Sequence, residues 1–174
     1  LQSFDLTRAN ADGVLILDDA ISAKSGKKIE GVRKLYDSSA GKYVMGHSIV
    51  NLIYSGRGVS YPLACEVAVP RDEDMEYATK SELGLAMLKS TVRAGFAQTV
   101  APGSAYLCNE IMEFLDSKKI PWVYRCKSNR ILIYKGRRLH AEELGLILAK
   151  RKFRRHKRYR DIEYASAVVE LSGH

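Results

Sequence analysis

Five residues near the start of the chain, Leu15-Ile16-Leu17-Asp18-Asp19, constrain its fold more than any other stretch. A short run of branched apolar side chains reads as a buried strand, and this one runs into two adjacent carboxylates. The spacing predicts a strand over residues 13–18 that ends at the acids. Two longer apolar runs, over 43–54 and 59–69, are joined by Ser55-Gly56-Arg57-Gly58, whose two glycines suit a hairpin turn. A Lys-, Ser- and Gly-rich loop fills the gap between the first strand and the second. Carboxylates held at the end of a central strand suit a divalent cation placed against a phosphodiester. The plainer alternative is that Asp18 and Asp19 cap the strand and open a turn.

Helical signals follow the strands. Thr79 with Glu82 makes a capping box, and Leu85, Leu88 and Val92 share one face of a helix stopping near Gly95. A short strand is expected over 97–101. A second helix then opens at Ser104 and carries Leu107, Ile111, Phe114 and Leu115 at helical spacing. Residues 121–126 and 130–134 read as strands, 140–150 as a helix, and 162–171 as a terminal strand. Three antiparallel strands followed by alternating helices and strands point to an α/β fold with a ribonuclease H-like mixed sheet and helices on both faces. The expected organisation is a lead-in over 1–12, a core over 13–138, and a basic helix with a terminal strand over 139–174.

Charge is concentrated in one place. Residues 150–160 hold eight of the 28 Lys and Arg residues and no acid, leaving 20 basic and 20 acidic residues elsewhere. The net charge of +8 is therefore a local device. Like charges crowded this way disfavour compact structure unless a polyanion is near, so Lys150, Arg151, Lys152, Arg154, Arg155, Lys157, Arg158 and Arg160 are candidate nucleic-acid contacts. Phe153, His156 and Tyr159, spaced by three, suggest that the block is a helix. Cys65, Cys108 and Cys126 are odd in number and far apart, which fits free thiols in a cytoplasmic protein better than disulfides or zinc. No apolar run approaches the roughly 20 residues needed to cross a bilayer, so no membrane role is expected.

Residues spread along the chain carry a family likeness. Val14-Leu15-Ile16-Leu17-Asp18-Asp19, then Lys24-Ser25-Gly26-Lys27-Lys28-Ile29-Glu30-Gly31-Val32, then Gly46-His47, then Tyr61-Pro62-Leu63, resemble the DDE transposases of prokaryotic insertion sequences. Tyr106-Leu107, Glu113-Phe114-Leu115, Trp122-Val123-Tyr124 and Lys127-Ser128-Asn129-Arg130 continue the likeness, which covers roughly residues 13–138. The resemblance implies a domain that cleaves and joins DNA with three carboxylates holding two Mg²⁺ ions. It implies that Asp18 is the first catalytic acid and metal ligand, with Asp19 a possible stand-in. Lys24, Lys27 and Lys28 would meet DNA phosphates near the metal edge, and residues 139–174 would belong to the family's insertion region. DNA is the implied partner, with a homo-oligomer possible.

The pattern then breaks. Where the family carries its second aspartate, this chain reads Val100-Ala101-Pro102-Gly103-Ser104-Ala105-Tyr106, and Gly103 stands in the acid's place. The third acid, set in a run like Tyr-x-x-Arg-Trp-x-Ile-Glu, does not occur before His174. The chain therefore reads as a truncated or degenerate transposase, inactive as it stands, that binds Mg²⁺ weakly if at all. Two alternatives remain open. One is a non-enzymatic nucleic-acid-binding or regulatory protein of the same topology. The other is an active nuclease that recruits Asp37 or Glu66 beside Asp18 and Asp19.

Overall fold

The computed structural model describes residues 13–26, 29–56, 58–69, 78–94, 99–151 and 153–171. The expected lead-in over 1–12 lies outside the described residues, as do Lys27, Lys28, Arg57 and Lys152. The chain is a mixed α/β protein that divides into two compact units, Leu1–Tyr124 and Arg125–His174.

The first unit is built on one long strand. β3 (Lys42–Gly56) pairs antiparallel with β1 (Val14–Ala23) along one edge, from Val14 opposite Ser55 to Ala23 opposite Gly46. Its other edge is shared by β2 (Arg33–Asp37) and β4 (Val59–Ala68), one at each end. β5 (Thr99–Pro102) runs parallel to β1 on its free side, and Trp122 bridges Val100 in parallel beyond it. This mixed sheet is compatible with the expected ribonuclease H-like class.

Period-two alternation explains the register. Ser48, Val50, Leu52 and Tyr54 are buried on one face of β3, and Leu15 and Leu17 of β1 stand opposite Tyr54 and Leu52. Slipping β1 by one residue would put Ile16 and Asp18 where Leu15 and Leu17 now stand. Met87 and Leu88 of α1 (Lys80–Arg93), Tyr106, and Ile111 and Leu115 of α2 (Asn109–Ser117) complete the core. Fully burying side chains of this size stabilises by roughly 1.5–3 kcal/mol each.

Several elements differ from the sequence expectation. β1 does not stop at the acids but continues five residues past Asp18, because β3 goes on pairing with it. β2 occupies part of the expected loop; it lacks an apolar alternation, and Tyr36 instead packs edge-on to Tyr43, directly opposite, with ring centroids 5.2 Å apart. The second helix starts at Asn109, after a 3₁₀ turn at Ser104–Tyr106. Residues 121–126 contribute only the Trp122 bridge, and the terminal segment yields two strands of two residues, β9 (Glu163–Tyr164) and β10 (Glu170–Leu171).

In the second unit, β6 (Ile131–Tyr134) and β7 (Arg137–His140) form a hairpin closed by Lys135 and Gly136, both at positive φ. β10 adds to β6. α3 (Ala141–Ala149) starts where the His140 N–H donates to Glu143 Oε2 at 2.6 Å. β8 (Arg154–Arg155) pairs antiparallel with β9.

The close approach of β1 to β3 at Gly46 gives a test of this register. A Cβ there would run into the backbone carbonyl of Ser22, a group that cannot move away cheaply. Gly46→Ala is expected to destabilise the chain by about 1–3 kcal/mol in urea denaturation, and an unchanged midpoint would contradict the pairing.

Candidate functional site

The carboxylate pair sits where the sheet changes partners. β5 follows β1 only as far as Leu17 opposite Pro102, and the Gly103 N–H then donates to the Leu17 carbonyl at 2.7 Å. Along a strand, backbone groups of residues two apart point to the same side. The Asp19 N–H therefore faces the side that β5 has just left, without a ladder partner. The Asp18 carboxylate supplies one, its Oδ1 accepting from the Asp19 N–H at 2.9 Å. Asp18 thus caps its own strand edge through Oδ1.

Gly103 lies directly beside this carboxylate. A Cβ on residue 103 would meet Asp18 Oδ1 at 2.5 Å and its Cγ at 3.2 Å. The position thought to have lost its acid is the one that faces Asp18 in space. The lack of a side chain there leaves the room into which the Asp18 carboxylate leans.

Asp19 belongs to different surroundings. Successive side chains of a strand point to opposite faces, so Asp18 and Asp19 cannot chelate one ion. Asp19 instead faces the α1 side, where its Oδ2 accepts from the Lys80 ammonium at 2.5 Å; its side chain is only 18% exposed. Lys80 is the first residue of α1, set by a complete capping box. Thr79 Oγ1 accepts from the Glu82 N–H at 3.2 Å, and Glu82 Oε2 from the Thr79 N–H at 2.7 Å. The backbone N–H of Thr79, with its hydroxyl, holds the Glu82 carboxyl below the usual glutamate value. Beneath Asp19 lies Tyr106, fully buried, with the Asp19 carboxylate beside its hydroxyl. Burial, and then the Asp19 and Asp18 charges, raise its phenol well above the ordinary range, so it stays neutral.

The other candidate acids do not join this edge. Asp37 stands opposite Lys42, and Asp18 opposite Asn51, which separates the two by nine residues of β3, or ~30 Å. Its Oδ1 is occupied by the Ser39 N–H and hydroxyl and the Ala40 N–H, which lower its pKa. Glu66 is exposed on β4, and the buried Val50 stands between it and Asp19. No group of three or more His, Cys, Asp or Glu capable of holding a metal occurs among the described residues. Mg²⁺ needs several anionic or neutral oxygens in near-octahedral array. One self-capped carboxylate facing a glycine, and a second already paired with an ammonium, do not fit it.

His47 is structural, its Nε2–H donating to the Glu30 carbonyl at 2.8 Å. The Cys108 thiol is pushed up by burial, which disfavours the thiolate a nucleophile needs.

Because β1 continues past Asp18, Lys24 emerges six residues further along, or ~20 Å. Lys24 is exposed. Lys150 and Arg151 follow α3, and Arg151 reaches the Tyr134 hydroxyl. The block beyond is a β-ribbon and not the expected helix. In a helix its cations would stack upon one another at i, i+3 and i, i+4. In the ribbon Arg155 faces Glu163, with Nε to Oε1 at 3.2 Å. The spacing of His156 and Tyr159 marks a turn: His156 Nδ1 accepts from the N–H groups of Arg158 and Tyr159 at 3.3 and 3.1 Å, and the two rings stack at 5.2 Å. Arg158 lies over the Tyr159 ring. Arg154, Lys157 and Arg160 are exposed and carry no acidic partner among the described residues.

Over residues 2–170 the chain matches the family of DDE superfamily endonucleases. One chain of the Drosophila P element transposase strand transfer complex is similar at 14% identity, with a TM-score of 0.33. The similarity covers 82% of this chain and 36% of that one, so the present sequence spans about a third of the transposase chain it resembles. No curated protein matches it.

The capping box that sets Lys80 is open to titration. Because Glu82 is depressed, the helix-start bonds hold above its usual value of 4.5 and are lost as pH falls through its lowered value. Carboxyl NMR titration should place the Glu82 midpoint below 4.5, and Thr79→Ala should return it toward that value. A midpoint unchanged by Thr79→Ala would mean that the box is not formed in solution.

Proposed function

Because the chain belongs to the DDE superfamily endonucleases, we propose that it is a DNA-binding, transposase-related domain in which metal-dependent strand transfer has been lost. The observation that carries this reading is the Cβ direction of Gly103, aimed at Asp18 Oδ1 from 2.5 Å. The place for a second acid exists, and glycine fills it. In this reading the core over 13–138 is ribonuclease H-like, and residues 139–174 form an insertion that meets DNA. The source is a prokaryotic insertion sequence, and the compartment is cytoplasmic, in keeping with three free cysteines.

DNA contact falls to the basic ribbon. Arg154, Lys157, Arg158 and Arg160 present cations on a short hairpin whose turn is braced by His156 and Tyr159. Such groups bind phosphates and release counterions, which gives affinity without sequence choice. Lys24, on the first unit, is a further phosphate contact.

The test is duplex binding by fluorescence anisotropy across a salt series. Affinity is expected to fall steeply with salt, with a slope near 0.9 per phosphate contact. Replacing Arg154, Lys157 and Arg160 together by Ala should flatten the slope by about 2–3. Incubation with supercoiled DNA and Mg²⁺ should give no cleavage. Salt-independent binding would remove the ribbon from the reading, and nicking that Asp18→Ala abolishes would overturn the loss of catalysis.

A further inference from the structure

We infer that the acidic stretch of β1 is a closed structural site in which Lys80 is the resident cation, paired with Asp19, and divalent metal has no place. The inference deepens the proposed function and rests on the same edge, but it concerns cation binding by the protein alone and can be tested without DNA.

Three observations converge on it. Asp18 Oδ1 is held by the Asp19 N–H in the space that Gly103 leaves open. A metal there would have only the second oxygen of one carboxylate, because residue 103 offers it no side-chain ligand. Asp19 is partly buried and already carries the Lys80 ammonium at 2.5 Å. A divalent ion at that carboxylate would face a fixed positive charge. The position of Lys80 is the third observation. A cation in the first turn of a helix opposes the helix dipole. Lys80 stands there nonetheless, aimed at a carboxylate 61 residues earlier in the chain, and Asp19 offsets what the dipole disfavours.

The pair also joins two elements of the first unit. It fastens the start of α1 to β1, beside the buried Tyr106 whose ring packs near Gly84 of the same helix. Lys80 therefore has a structural duty that a transient metal could not perform. Gly103 decides the other half of the site. Its backbone, at φ −58° and ψ 155°, is ordinary extended geometry open to any residue. Aspartate could occupy the position without backbone strain, provided that Asp18 turns outward.

Calorimetric titration of the whole chain with Mn²⁺, together with thermal melting, tests the inference. The wild type is expected to show no saturable site through the millimolar range and no Mn²⁺-dependent rise in melting temperature. Gly103→Asp should bind Mn²⁺ at least about tenfold more tightly than the wild type, since it sets a second carboxylate against Asp18. Lys80→Met should lower the melting temperature, and adding Asp19→Asn should recover part of that loss. A saturable wild-type site that Asp18→Asn abolishes would overturn the inference. So would an unchanged melting temperature in Lys80→Met, or Mn²⁺ binding by a folded Gly103→Asp that is no tighter than the wild type. If Gly103→Asp fails to fold, the comparison of wild type with Asp18→Asn and the melting of Lys80→Met still decide it.

Discussion

Everything at the candidate site depends on where β5 leaves β1. For four residue pairs the two run in parallel, and at Pro102 the chain turns away while β1 continues against β3. That departure opens the edge of β1 from the Asp19 N–H onward and frees one side-chain position, at residue 103. In a sheet whose strands ended together, Asp18 would have neither an N–H to cap nor a neighbour to face. The carboxylate's role follows from which of the two it meets, and with glycine at 103 it meets the N–H.

Strands whose apolar residues alternate or run together are legible in the amino-acid sequence itself. The two long strands and the Thr79–Glu82 capping box follow from residue type and spacing, and the fold places them accordingly. The likeness to transposases of insertion sequences carries the family and the order of the elements. Features that depend on a partner strand are not legible in this way. Nothing in Asp19-Ala20-Ile21-Ser22-Ala23 announces a strand, because it is β3, much later in the chain, that holds it extended. β2 is hidden for the same reason. The basic block misleads because spacing by three is shared by a helix and by a tight turn, and only charge repulsion distinguishes them.

The pairing of Lys80 with Asp19 is also out of reach of the sequence. One available signal is a lysine at the first position of a well-capped helix, a place where acids are favoured. Such a residue asks for a carboxylate from elsewhere in the fold. Here that carboxylate is the neighbour of the acid that makes the strand conspicuous. Opposite faces of one strand thus hold two acids with unrelated duties, one closing a backbone edge and the other anchoring a helix.

The ladder between β1 and β5 bears on how the chain reaches its folded state. β2, β3 and β4 are joined by short connections, and β1 can meet β3 early. Pairing Val14 with Thr99 closes the longest loop of any ladder in the sheet. Until it closes, the outer edge of β1 is an open template for other strands, with Leu15 and Leu17 awaiting cover. The two aspartates sit on that unfinished edge. Charged side chains on such an edge disfavour pairing with a second chain, a consequence of the two acids that owes nothing to cations or to DNA.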